Sequence, residues 1–98
     1  MQLIVEFGYE EVDIIDVPLN LLEDINSYQE QFWKWLFDKN TEHKYWYYNN
    51  GEKDGCCYRS DAFVEWLNLF PLSNQNEKAS ILSEYTTNYD RNLPSIYF

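Results

Sequence analysis

The sequence predicts an α+β fold in one domain spanning residues 1–98, with two short antiparallel β-hairpins and about three helices in the order β-β-α-β-β-α-α. Three observations indicate this class. β-branched residues dominate the first seventeen positions, apolar residues recur at helical spacing in three later segments, and glycines fall between the paired strand segments. Small antiparallel pairings of this kind carry helices on one side. The pattern leaves open whether the hairpins are separate or join in one small sheet.

The first hairpin comes from the segment LIVEFGYEEVDIIDV, with strands predicted near 2–7 and 11–17. Gly8 lies between these strands and supplies the positive φ that a tight hairpin turn needs. Pro18 follows the second strand and has no backbone N–H to donate to a strand ladder. We therefore expect strand pairing to stop at Pro18.

The main helix is predicted over 27–39, after a short turn at 18–25. Asn20 and Ser27 each precede a glutamate by three residues, which is the pattern of an N-cap with its acidic partner. One continuous helix through both segments is the alternative. Apolar side chains cover more than one face of the main helix, with Tyr28, Phe32, Trp35 and Leu36 on one stripe and Trp33 and Phe37 beside it.

A second hairpin is predicted from an aromatic strand near 43–48, a loop containing Asn-Gly and Asp-Gly, and a strand near 56–59. Ser60 or Asp61 then caps a helix that ends at Pro71. Apolar residues in that helix repeat at i, i+3, i+4 and i+7, at Phe63, Trp66, Leu67 and Phe70.

A last helix is predicted over 75–88, because Asn74 and Glu77 form another capping pair. Its apolar stripe consists of Leu82, Tyr85 and Tyr89. The C-terminal tail, 90–98, contains a proline and is predicted to be extended. Apolar side chains at its end should hold it against the domain, namely Ile96, Tyr97 and Phe98.

The charge of the chain excludes one class of partner. The chain has seventeen Asp and Glu but only seven Lys and Arg, which gives a formal net charge of −10. Contacts to phosphates need clustered Lys and Arg, so we expect no direct binding to DNA, RNA or anionic membranes. The charge is also uneven, since residues 1–33 hold eight acids and no base.

Catalytic chemistry is not predicted. The one nucleophile–base pair that the second hairpin would allow is His43 with Cys56 or Cys57. Adjacent cysteines in a strand point to opposite faces and do not readily bridge, so we expect two reduced thiols. Zinc needs about four ligands and the chain has a single histidine, so neither a metal nor another cofactor is expected.

The location is predicted to be the cytoplasm of a bacterial host cell. No apolar stretch approaches the roughly 20 residues that span a bilayer. The N-terminal residues also lack the basic segment and small-residue cleavage site of a signal peptide.

A protein-binding surface is the preferred interpretation, because negative charge speeds association with a basic partner and aromatic side chains anchor it. Glu11 and Asp13 would share one strand face about 6.6 Å apart, comparable with successive phosphates on an extended backbone. The residues predicted to bind the partner are Glu10, Glu11, Asp13, Asp16, Glu23, Asp24, Trp33 and Tyr48.

The predicted function is therefore that of a small acidic inhibitor that binds a basic surface of a nuclease or other nucleic-acid-binding effector, acting as a nucleic-acid mimic. In size, charge and composition the chain resembles phage-encoded anti-defence inhibitors such as anti-CRISPR proteins. It is also similar to bacterial toxin-immunity proteins that block nuclease toxins. This resemblance assigns no residue a role. A third alternative is a housekeeping interaction module or homodimer, in which the aromatic residues form a self-interface.

Overall fold

Six strands and two α-helices form along the chain in the computed structural model, which describes residues 1–98. They are β1 (Gln2–Glu6), β2 (Val12–Asp16), α1 (Ile25–Leu36), β3 (Trp46–Asn49), β4 (Glu52–Cys56), α2 (Ser60–Leu69), β5 (Ser80–Thr86) and β6 (Ser95–Tyr97). A 3-10 helix, Leu19–Asp24, precedes α1. The predicted α+β class is confirmed, although the chain has two α-helices where about three were expected.

The predicted first hairpin is confirmed. Strands β1 and β2 pair antiparallel, with Gln2 opposite Asp16 and Val5 opposite Asp13. Gly8 adopts a φ of 84° in the connecting loop. A Cβ there would also meet the hydroxyl of Tyr97, but that exposed side chain can move, so the positive φ is what favours glycine at this position.

Helix α1 begins and ends slightly earlier than predicted. The 3-10 helix leads directly into it at Ile25, so Ser27 lies in its first turn and does not cap it. The helix ends at Leu36, whose carbonyl accepts hydrogen bonds from His43 Nε2 at 2.9 Å and from Cys56 Sγ at 3.4 Å. These two side chains satisfy a helix-end carbonyl and hold the second hairpin against the end of α1.

The second hairpin forms, but its strands are displaced from the predicted positions. Asn50 and Gly51 alone make the turn, with φ of 53° and 80°. A type I′ hairpin turn requires positive φ at both of its central residues. The Asp-Gly pair lies inside β4 instead, where Gly55 is opposite Tyr47. The ring of Tyr47 covers Gly55 so closely that a Cβ would clash with it. The hairpin forms its own two-stranded sheet and does not join the other strands.

The predicted last helix is wrong. Residues 80–86 form strand β5, which pairs antiparallel with β2, for instance through Ile15 and Ile81. Leu82 and Tyr85, two members of the predicted apolar stripe, are exposed, whereas Ile81 packs against the core. The free edge of β2 offers backbone partners to this segment, and that long-range pairing outweighs a weak local helical pattern.

The C-terminal tail begins with a turn at 91–93 and ends in a short strand. Its strand β6 runs parallel to β1 and completes a four-stranded sheet in the order β5-β2-β1-β6. Ile96 is buried in the core and Phe98 packs against it, but the Tyr97 side chain is exposed. The outer edge of β6 is covered in part by Gln29 of α1, which donates to the Tyr97 carbonyl at 2.6 Å.

The two faces of the sheet are covered by different parts of the chain. The larger core lies between one face and the helices, and includes Leu3, Val5, Ile15, Val17, Phe32, Phe63, Leu67 and Ile96. On the opposite face Ile4, Val12 and Ile14 are buried beneath Tyr89 and Leu93. The segment between β5 and β6 therefore closes the second face of the sheet. Helices lie on one side only, as the sequence predicted.

Candidate functional site

The centre of the candidate site is Asp13, and the structure places this residue in the interior. Strand alternation puts Asp13 on the same face of β2 as Ile15 and Val17, which is the face that packs against the helices. Its exposed fraction is 0%. Asp13 was predicted to bind a partner next to Glu11. That prediction is wrong for Asp13, because a buried carboxylate cannot reach another protein.

The Asp13 carboxylate is fully occupied by donors from two elements. Arg59 donates from Nη2 at 2.8 Å and from Nε at 3.2 Å, which makes the ion pair bidentate. The Ser60 hydroxyl donates at 2.6 Å and the Tyr85 amide at 3.1 Å. Burial by itself raises the pKa of Asp13, but the hydrogen bonds from Arg59, Ser60 and Tyr85 outweigh it and lower the pKa below its ordinary value.

Arg59 is held between two aromatic rings. Its guanidinium carbon lies 4.0 Å from the ring centroid of Tyr85 and 4.8 Å from that of Phe7. The hydrogen bond from Arg59 to Asp13 raises the pKa of the guanidinium, so this pair stays ionised. Tyr85 adopts a φ of 51° in β5, where the register with β2 is irregular. That irregularity directs the Tyr85 amide towards Asp13 while its ring covers Arg59.

An open cleft of about 620 Å³ lies over this ion pair. We call it the Arg59 cleft. Its lining comes from four segments: the β1–β2 loop, the stretch from the end of β4 to the start of α2, β5, and the residue that follows β6. The lining residues are Phe7, Tyr9, Cys56, Cys57, Tyr58, Arg59, Asp61, Glu84, Tyr85 and Phe98. Five of these ten side chains are aromatic. Two carboxylates, Asp61 and Glu84, are the only acids among them.

The predicted acidic residues do not form one surface. Glu10 and Glu11 are exposed in the β1–β2 loop, beside the Arg59 cleft that Tyr9 lines. Asp16 lies at the other end of the hairpin, where it forms an ion pair with the N-terminal amine at 2.9 Å. Glu23 and Asp24 follow that end in the 3-10 helix and are exposed. The base-free first third of the chain therefore places acids at both ends of the sheet.

The predicted aromatic anchors differ in exposure. Tyr48 is exposed on β3, away from the cleft lining. Trp33 is half-buried, and its ring packs edge-on against Phe98 with 5.8 Å between centroids. All four tryptophans are buried or half-buried. The exposed aromatic residues are mainly tyrosines, and Tyr9 and Tyr85 at the Arg59 cleft are 72% and 60% exposed.

Most carboxylates on the surface have no cationic partner. Ion pairs involve only Asp13, Asp16 and Glu42, which leaves fourteen of the seventeen carboxylate side chains without a cation within 4 Å. Several bases are used internally. Lys53 donates to two backbone carbonyls as well as to Glu42, and Lys78 donates to the carbonyls of Leu72 and Ser73.

His43 and the cysteines do not form a nucleophile–base pair. The His43 ring is stacked on Trp46, 5.1 Å between centroids. Its Nε2 donates to the Leu36 carbonyl, and its Nδ1 accepts from the Tyr45 amide at 3.1 Å. Both ring nitrogens are thus bound to the backbone and neither is free to accept a thiol proton. Cys56 is half-buried and Cys57 is exposed in the Arg59 cleft, and both are free thiols.

Three residues of the candidate site were not predicted from the sequence, namely Arg59, Glu84 and Tyr85. One local pattern could have indicated an ion pair at Asp13, because an Asp on the same strand face as Ile15 and Val17 faces the core and needs a cationic partner. That pattern does not identify Arg59 as the partner. Glu84 and Tyr85 could not be found in this way, since their segment was predicted as a helix.

No helix in this structure is long and apolar enough to cross a membrane. Comparisons with known protein families, with characterised proteins and with solved structures found no match to this chain.

Proposed function

We propose that this protein is a small, non-enzymatic inhibitor that binds the basic surface of a nuclease or other nucleic-acid-binding effector and occupies it in place of nucleic acid. The observation that supports this proposal is the excess of carboxylates without a cationic partner, fourteen of seventeen, of which twelve are exposed, on a chain of net charge −10. Such a surface attracts clusters of Lys and Arg and repels phosphates.

The end of the molecule around the Arg59 cleft supports this proposal best. Four exposed acids lie there, on the β1–β2 loop, the start of α2 and the end of β5, namely Glu10, Glu11, Asp61 and Glu84. Tyr9 and Tyr85 are exposed beside them. Carboxylates steer a basic partner and raise the association rate, while tyrosines provide contact area that slows dissociation. Both contributions are present on one surface.

Of the biological settings, we favour a phage anti-defence inhibitor, of the kind represented by anti-CRISPR proteins. A toxin-immunity protein would use the same mechanism against a nuclease toxin. Genome neighbourhood separates these two: a phage operon supports anti-defence and an adjacent toxin gene supports immunity.

The experiment begins with affinity capture of the partner from the native host, followed by association kinetics with the purified partner. Neutralising Glu10, Glu11 and Glu84 to Gln together should slow association about tenfold at low salt, and the difference should shrink as salt screens the charges. These three residues are exposed and make no ion pair, so the fold should be unaffected.

The matched control neutralises three exposed acids away from the Arg59 cleft, Glu23 and Glu77 to Gln and Asp24 to Asn; Glu77 lies beside Pro18 and Leu19, next to the 3-10 helix that holds the other two. Both variants lose the same net charge, so a reduction confined to the first variant locates the binding surface. If the partner is acidic, or if neither variant slows association at low salt, the acidity serves only solubility and the proposed function is wrong.

A further inference from the structure

The geometry points to the Arg59 cleft as the place where one arginine or lysine side chain of the basic partner inserts, against Tyr9 and the outer face of Tyr85 and beside Glu84. This inference rests on the proposed function and adds to it a specific recognition site. It is based on the shape of the cleft, on the neutralisation of Arg59 by Asp13, and on the exposure of Tyr9 and Tyr85.

The charge of the cleft favours a cation although an arginine lies at its base. Arg59 is neutralised by Asp13 in a bidentate pair, and its side chain is only 22% exposed. The two remaining charges in the lining are Asp61 and Glu84, and both are negative. Neither forms an ion pair within the protein. The lining and the Asp13 beneath it therefore carry a net charge of about −2, which a cationic side chain would offset.

Aromatic faces are available to receive the cation. Arg59 lies 4.0 Å from the Tyr85 ring centroid and covers one face of that ring. The residue is nevertheless 60% exposed, so the opposite face is open to solvent. Tyr9 is 72% exposed. A guanidinium or ammonium placed over such rings is attracted by their π electrons, and the attraction increases where water is excluded.

The position of Tyr85 is also fixed before a partner arrives. Its amide donates to the buried Asp13 at 3.1 Å, and its ring is held by Arg59. A receptor surface whose side chains are already ordered loses less conformational entropy on binding. The cleft therefore combines negative charge, exposed aromatic rings and a tyrosine side chain that is already ordered.

The test is an NMR titration of the isotope-labelled protein with the blocked tripeptide acetyl-Gly-Arg-Gly-amide. We expect saturable shifts at the amides of Tyr9, Asp61 and Tyr85, and none at Glu23 and Asp24. The lysine tripeptide should shift the same amides. The citrulline tripeptide has nearly the same shape without the charge, and should bind at least five times more weakly.

Two double variants separate the cleft from general electrostatics. Tyr9→Ala with Glu84→Gln should weaken binding of the arginine tripeptide at least fivefold. The matched control, Tyr48→Ala with Glu23→Gln, removes the same side-chain types from exposed positions outside the cleft lining and should change binding less than twofold.

Four results would each overturn the inference: equal effects of the two double variants, equal binding of arginine and citrulline, no saturable shifts in the cleft, or preferential binding of a glutamate tripeptide there. The last result would mean that the unused N–H groups of Arg59 recognise an anion. None of these results decides the proposed function, which depends instead on whether neutralising Glu10, Glu11 and Glu84 slows association with the captured partner.

Discussion

The buried carboxylate of Asp13 connects three parts of the chain at one point. It lies on β2 and accepts hydrogen bonds from Arg59, from Ser60 at the start of α2 and from the Tyr85 amide of β5. The edge strand and the second helix are therefore both bound to the centre of the sheet through one side chain. Asp13 is an acidic residue with a structural role, in contrast to the exposed acids around it.

The substitution Asp13→Asn should destabilise the protein by about 3 kcal/mol, because an asparagine leaves the Arg59 charge without a buried counterion. Urea unfolding measures the difference. Asp16→Asn is the matched control on the same strand, since its ion pair with the N-terminal amine is half-exposed, and should cost less than about 1 kcal/mol. Equal losses in the two variants would show that the Asp13 pair contributes no more than a surface pair.

The same residue predicts a dependence of stability on pH. Its folded-state pKa is lowered from an ordinary value of 3.8, so its ionised form stabilises the fold fully above that value. This stabilisation is lost as pH falls through the folded-state pKa. The free energy of unfolding of wild type minus that of Asp13→Asn should thus be constant between about pH 7 and pH 5, and should shrink below about pH 4. A difference that grew in acid would contradict this assignment.

At the scale of single elements, the second hairpin depends on its two-residue turn. Gly51 has a φ of 80°, and a Cβ added there would meet no atom within 4 Å. The only cost of Gly51→Ala is therefore backbone strain, which we expect to be about 1–2 kcal/mol. Hydrogen exchange should report it as faster exchange of the β3 and β4 amides.

Glu52→Ala is the control for that substitution, because the neighbouring residue is exposed and has an ordinary strand backbone. It should leave exchange in the hairpin within a factor of about two of wild type. Unchanged exchange in Gly51→Ala would mean that the turn does not limit the opening of the hairpin.

Elements with a strong local pattern were predictable, and elements that depend on distant partners were not. The first hairpin and α2 follow from residues that are neighbours in sequence, namely Gly8 between β-branched runs and Phe63 and Trp66 at helical spacing. Strand β5 depends on the free edge of β2, about 70 residues earlier in the chain. Leu82 and Tyr85 have the spacing of an apolar helical stripe, but both are exposed in the structure.

The candidate site was predictable only in part, for the same reason. Glu10 and Glu11 were predicted in the sequence to bind a partner, and the structure places them beside the Arg59 cleft. Arg59 and Tyr85 approach them only through the pairing of Asp13 with α2 and β5. Side chains from four separate segments form the cleft. The spacing of residues within any one segment therefore could not predict it.

At the scale of the whole molecule, the fold separates two roles of charge. The ion pair of buried Asp13 with half-buried Arg59 holds the sheet to α2, whereas unpaired acids remain on the surface. For this reason we expect replacement of Asp13 to lower the free energy of unfolding strongly. Replacement of Glu10, Glu11 and Glu84 should change it little. We therefore expect substitutions to alter stability and the proposed partner binding independently.

Competition with nucleic acid tests the central claim most directly. The captured partner is first bound to labelled DNA or RNA, and the protein is then added at increasing concentration. We predict release of the nucleic acid at the concentrations at which the protein binds the partner, with no shift of the labelled nucleic acid by the protein alone at physiological salt. Formation of a ternary complex at saturating protein, or direct binding of nucleic acid by this protein with a Kd of about 1 μM, would contradict the claim.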